Sequence, residues 1–217
     1  FFKIALYTNM TTIFTHNPMG FSDPSDDYAN QKALYLSFYH IASKQSIEFK
    51  AFLTDYGETF SADYNSEPVF GRMDPLMTFR TTTRKVRVAW DIPAASLSEA
   101  KENMRRCNRL AEFMYPAYDV KPLANTLSKP PLMKIRFANL IRGSGDSPEA
   151  EIGGLLSAVT SISVTPVLDN NNLFDPNTAE LYPQMWRISC DFTPLHQHSL
   201  GWGGEGNTFG DGEWFPW

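Results

Sequence analysis

KVRVAWDIPAASLSEAKENMRRCNRLAEFMYP, residues 85–116, carries two periodicities side by side. In its first half Val86, Val88, Trp90 and Ile92 alternate with Lys85, Arg87 and Asp91. A period of two is that of a strand with one buried face. Pro93 ends the strand, because it has no N–H to give to a ladder. Ser96-Leu97-Ser98-Glu99 then fits a capping box, with Ser96 as the N-cap and Glu99 reaching back to it. Leu97, Ala100, Met104, Cys107, Ala111 and Met114 follow at steps of three and four, which predicts one apolar helical stripe over about 97–115. Lys101, Glu102, Arg105, Arg106 and Arg109 take the remaining surface, and Pro116 closes the helix.

Outward from this unit the chain reads as strands. ALYLSFYHIA (33–42) precedes SIEFKAFLTDY (46–56), where Ile47, Phe49, Ala51 and Leu53 alternate with Glu48, Lys50 and Phe52. LMKIRFANLI (132–141), GLLSAVTSISVTPVL (154–168) and QMWRISCDFTPL (184–195) add three more. In the second of these Leu156, Ala158, Thr160, Ile162 and Val164 are expected on one face. In the third Trp186, Ile188, Cys190 and Phe192 form the core side. Residues 1–31 are rich in turn formers and read as an irregular N-terminal arm. Residues 32–202 form the β domain, and 203–217 a Gly- and Trp-rich C-terminal extension. The fold class is mainly β (α+β), an antiparallel structure with one flanking amphipathic helix.

The 217 residues allow one substantial core, and 14% aromatic content suits sheets and contact surfaces more than a helical bundle. No stretch approaches the roughly 20 apolar residues of a membrane span, and FFKIALYTNMTT has no basic segment leading into an apolar one. Cys107 and Cys190, the two cysteines, read as small buried apolar residues. The net charge of −5 is unevenly spread: residues 1–71 carry −4, residues 72–142 carry +8 and residues 143–217 carry −9. A basic middle between acidic ends can bind nucleic acid, or pair with acidic parts of its own chain or of another copy.

Signals for chemistry are weak. His196 and His198 would share a strand face, but the remaining histidines are His16 and His40, and no third ligand is apparent. Gly143-Ser144-Gly145 belongs to no nucleophile elbow and reads as part of a hairpin loop. Carboxylates are plentiful without a catalytic setting, so a hydrolase has only their abundance behind it. No catalytic, cofactor or metal residue is assigned. Arg80, Arg84, Lys85, Arg87, Arg105, Arg106 and Arg109 could meet phosphates, yet the chain is acidic and lacks the interleaved aromatics of single-strand binders. Carboxylates of other subunits are the preferred partners. In GRMDP (71–75) Gly71 permits a sharp bend and Pro75 keeps Asp74 from helical geometry. Arg72 could then pair with Asp74 or, bidentately, with a partner's carboxylate. Arg72, Asp74, Arg80, Arg84, Arg87, Arg105, Arg106, Arg109 and Trp202 are the expected interface residues.

The order of these pieces resembles a family. SIEFKAFLTDYGETFSADYNSEPVFGRMDPLMTFRTTTRKVRVAWDIPAASLSEAKENMRRCNRLAEFMYPAY, then PPLMKIRFANLI, GGLLSAVTSISVTPVLD and LYPQMWRISCDFTPLHQHSLGW, resemble baseplate and tail-tube-initiating proteins of contractile-tailed bacteriophages over roughly residues 45–202. The resemblance implies a tail-tube-like β-barrel or sandwich flanked by one helix. It also implies a six-fold homo-oligomeric ring between the baseplate hub and the tail tube, touching wedge or sheath proteins. Such a protein is structural, assembles in the host cytoplasm into the virion, needs no cofactor or membrane, and meets nucleic acid only as it passes through a lumen.

Overall fold

The computed structural model describes residues 35–50, 52–121, 124–138, 140–143, 153–169, 172–196, 200–202 and 208–209. Its centre is one seven-stranded sheet. Along the chain come β1 (Tyr35–His40), β2 (Gln45–Lys50), β3 (Phe52–Glu67) and β4 (Leu76–Pro93), then helix α1 (Leu97–Glu112). A hairpin of β5 (Ala117–Lys121) and β6 (Ala124–Lys129) follows. After it come β7 (Leu132–Phe137), β8 (Leu155–Val167), a short hairpin of β9 (Leu173–Asp175) and β10 (Glu180–Tyr182), and β11 (Met185–Pro194). Two-residue strands β12 (Gly201–Trp202) and β13 (Thr208–Phe209) pair at the end. The large sheet runs β2-β1-β7-β8-β11-β4-β3, and every neighbouring pair is antiparallel.

This sheet is curled. Four strand spacings separate β1 from β4, about 19 Å if the sheet were flat. Yet the rings of Phe38 in β1 and Trp90 in β4 are stacked with centroids 5.7 Å apart. Phe49 in β2 also sits 5.7 Å from Trp90 and 6.1 Å from Phe38. The two edge strands, β2 and β3, are consecutive in sequence and separated by residue 51 alone. One bent stretch of chain therefore supplies both edges, and the apolar face rolls inward. No β2–β3 pairing closes a barrel among the described residues.

Inside the curl lie Leu36, Phe38, Ile47, Phe49, Val86, Val88, Trp90, Met133, Ile135, Ile188, Cys190 and Phe192, all at most 1% exposed. The expected core faces of residues 86–92 and 188–192 are those observed. Helix α1 adds Cys107, Leu110 and Phe113 to the same cluster, with Phe113 stacked on His40 at 4.9 Å.

Ser96 caps the helix as expected, its Oγ accepting from the Glu99 N–H at 3.3 Å. Glu99 reaches one residue further back than a capping box requires, accepting from the Ala95 N–H at 2.8 Å. The buried stripe is rotated from the expected one: Ala100, Asn103, Cys107 and Leu110 face inward, while Ala111 is exposed and Met104 half-buried. Asn103 can be buried because its side-chain amide donates to the Pro93 carbonyl at 3.3 Å. The helix ends at Glu112, short of the expected 115. There the N–H groups of Met114 and Tyr115 turn to the carbonyls three residues back, a tightening of the last turn.

Three strand expectations are corrected. SIEFKAFLTDY is not one ladder: it changes partner at residue 51, from β1 to β4. In β8 a bulge opposite Asp191 inserts Thr160, whose hydroxyl donates to the Asp191 carbonyl at 2.9 Å. The extra residue reverses the phase. Leu155, Ser157 and Val159 therefore precede Ile162 and Val164 on the inner side, and Leu156 and Ala158 do not. The strand expected over 132–141 stops at Phe137, where a turn through Ala138 (φ 44°) brings Ile141 back onto Phe137. The expected arm at 1–31 and the loop from Ser144 to Ile152 lie outside the described residues.

Candidate functional site

The most distinctive surface is a hairpin arm. β11 pairs with β4 only from Val86 to Pro93, so nearer the tip β4 has β3 as its one neighbour. Beyond that point the two strands continue without a supporting layer, and every residue from Thr59 to Thr82 is exposed. Nine residues of strand on the β3 side extend roughly 27 Å.

The distal arm is two-faced. A register shift at Asp63/Tyr64 leaves Arg80 as the extra residue on β4. Past this bulge Tyr64 lies opposite Phe79 and Ser66 opposite Met77, on the same face. The Tyr64 and Phe79 rings meet edge-to-face at 5.5 Å. Asn65 with Thr78, and Glu67 with Leu76, occupy the other face. At the tip Gly71 takes φ +84°, a left-handed backbone that suits glycine, and the Arg72 N–H closes on the Val69 carbonyl at 3.2 Å. Phe70 and Met73 there are fully exposed.

A buried charged cluster roots the arm. Arg84 is 5% exposed, and its Nε and Nη2 both lie 2.9 Å from Glu58 Oε2. The Tyr56 hydroxyl donates to the other Glu58 oxygen and lies 3.1 Å from the Leu140 carbonyl. Burial first, and then this bond to Glu58, push the Tyr56 pKa upward. The Arg84 guanidinium also sits 5.9 Å from the Phe60 ring. These contacts join both strands of the hairpin to the body at the point where support from β11 ends.

The expected interface residues fall on separate elements. Arg72 and Asp74 are exposed at the tip, and no ion pair joins them. Arg80 meets Asp63 at 3.5 Å, and Arg87 meets Asp55 at 3.7 Å and Asp191 at 4.0 Å. On α1, Arg105 and Arg106 approach Glu102 at 3.7 and 3.5 Å, and Arg109 meets Glu112 at 2.6 Å. Each of these arginines except Arg72 thus has a carboxylate of its own chain within 4 Å. Trp202, on β12, is 74% exposed.

Sequence reasoning missed a second apolar surface. β9 and β10 form within what reads as a turn-rich connection, and Phe174 and Leu181 stand opposite each other on them, both more than half exposed. The hairpin is tied to α1 by an ion pair between Lys101 and the buried Asp175 carboxylate. Asp175 also accepts from the Asn177 N–H at 2.9 Å, and Lys101 lies 5.3 Å from the Tyr182 ring. The bond to Lys101, then that from Asn177, hold the Asp175 pKa below its usual value; the same partner raises that of Lys101. The signal in the sequence was the LFD and ELY triplets flanking DPNTAE.

Among the described residues, no group of three or more His, Cys, Asp or Glu is placed to hold a metal. His196 is half-buried, and His198 lies outside the described residues. No described helix is long and apolar enough to cross a membrane. Compared with known proteins, the chain matches no family model and no curated protein.

Proposed function

We propose that this chain is a structural, ring-forming component of a contractile phage tail, an initiator that joins baseplate hub, tail tube and the surrounding wedge or sheath proteins in the virion. The observation that carries the reading is the arm. A fold that stabilises itself by burying apolar surface here leaves Phe70, Met73, Tyr64 and Phe79 in water, at the end of a two-stranded extension. Exposed apolar surface of this extent marks a contact site. The resemblance over residues 45–202 names the kind of assembly. One curled antiparallel sheet with a packed helix is compatible with a tail-tube-like architecture, and a ring is a closed heterologous assembly that needs unlike surfaces on one chain.

Nucleic-acid binding has less behind it, since most of the candidate arginines already face carboxylates of the same chain. The test is electron microscopy of the purified chain over a range of concentrations and with tail-tube protein added. Six-fold rings that nucleate tubes are the expected result. A chain that stays monomeric and neither forms rings nor seeds tubes would overturn the reading.

A further inference from the structure

We infer that the distal β3–β4 arm of one copy docks on the β9–β10 hairpin of a second copy of this chain, with Phe70, Met73, Tyr64 and Phe79 meeting Phe174 and Leu181. This rests on the self-assembly part of the proposed function, and not on the identity of the assembly.

Area comes first. Tyr64, Val69, Phe70, Met73, Met77 and Phe79 are between 42 and 105% exposed. With Leu76 they present on the order of 800 Å² to solvent, taking about 200 Å² for each large side chain. That exceeds the roughly 300–600 Å² of the largest patch on an ordinary monomer. It equals the share of about 800 Å² that each partner gives to a stable interface.

Charge selects the occupant. From Pro68 to Thr82 the arm has Arg72 and Arg80 against Asp74. Residues 169–182 have Asp169, Asp175 and Glu180 and no lysine or arginine. Asp175 is committed to Lys101, which leaves Asp169 and Glu180 exposed beside Phe174 and Leu181. Arg72 has no carboxylate partner in its own chain among the described residues, so it arrives with its charge unspent. An apolar, cationic tip and an apolar, anionic hairpin are complementary in both respects. They are different surfaces of one chain, so the contact is head-to-tail and repeats from copy to copy. Both hairpins are anchored, the arm by Arg84–Glu58 and the receiving one by Lys101–Asp175, so little ordering is needed on contact.

The experiment uses the full chain with Met73→Cys in one preparation and Leu181→Cys in another, mixed and mildly oxidised. Cys107 and Cys190 are buried, with thiols pushed up to about 12, and stay silent. A disulfide between the two variants, faster than in either variant alone, is expected. In sedimentation, the double change Phe70→Ser and Met73→Ser is expected to weaken self-association at least thirtyfold, on the order of a hot-spot loss. It leaves folding intact, because neither side chain is buried. Assembly that persists in this double variant, with no mixed disulfide, overturns the arm contact while the ring reading stands. A wild-type chain that is monomeric throughout overturns both. Tip-dependent binding to lipid vesicles, without self-association, overturns the inference in favour of a membrane.

Discussion

Phe38 and Trp90 stack at 5.7 Å although three strands lie between theirs in the sheet. That contact records how far the sheet has rolled, and it places the largest buried side chain at the meeting point of the two halves. Trp90→Ala should therefore cost about 3–5 kcal/mol, the range for a large aromatic removed from a core. Denaturant unfolding measures it. A loss of under about 1 kcal/mol would mean that the halves do not meet at this ring.

Arg84 is a charge held below the surface by one carboxylate. Arg84→Met alone should destabilise by about 3–5 kcal/mol, because Glu58 is left with its charge and little water. Combining it with Glu58→Gln should recover part of the loss. A double-mutant cycle checks this, and strict additivity would show that the pair is not coupled.

Asp175 gives an acid-side dependence. Its folded pKa is depressed by Lys101 and the Asn177 N–H, so its contribution is present above the unfolded value and is lost as pH falls through the folded one. Thermal unfolding should show stability declining on acidification below about pH 4. Asp175→Asn should flatten that limb. Because Lys101 spans from α1 to this hairpin, proteolysis between β9 and β10 should also become faster in the variant.

His40 works in the neighbouring window. Burial lowers its pKa from 6.5, and its ring lies flat against Phe113, with Nδ1 2.8 Å from Ser43 Oγ. The unfolded chain thus binds a proton more readily than the folded one, and stability should fall as pH drops from about 7.5 to about 5. His40→Phe keeps the stack and has no proton to gain, so its unfolding midpoint should stay flat across that interval. An unchanged slope would assign the dependence to another group.

What could be read in the sequence was whatever a short window contains. Val86, Val88, Trp90 and Ile92 announced a strand, Ser96 announced a cap, and Gly71 announced a bend, because each depends on neighbours within a few residues. The rotated helix stripe was not legible. Asn103 is polar in composition and buried in fact, since the Pro93 carbonyl that satisfies it lies on the preceding strand. Nor was the phase change in β8, because a bulge is a property of two strands and Thr160 looks like any other alternating residue. The charge pattern pointed to the segment that holds the arm, but not to its partners: Arg84 and Glu58 are 26 positions apart and share a side chain's reach only after the hairpin forms.

By itself, then, the chain's sequence determined that it is built from antiparallel strands with one capped helix, since periodicity and capping are local energies. Only the tertiary structure decided that one bent stretch at residue 51 makes both edges of a rolled sheet, and that β11 stops at Val86 while β3 and β4 run on. Burial is the reason. Whether an apolar residue such as Phe79 belongs to the core or to a contact surface depends on which strands lie over it, and that is set by long-range pairing rather than by its neighbours in sequence.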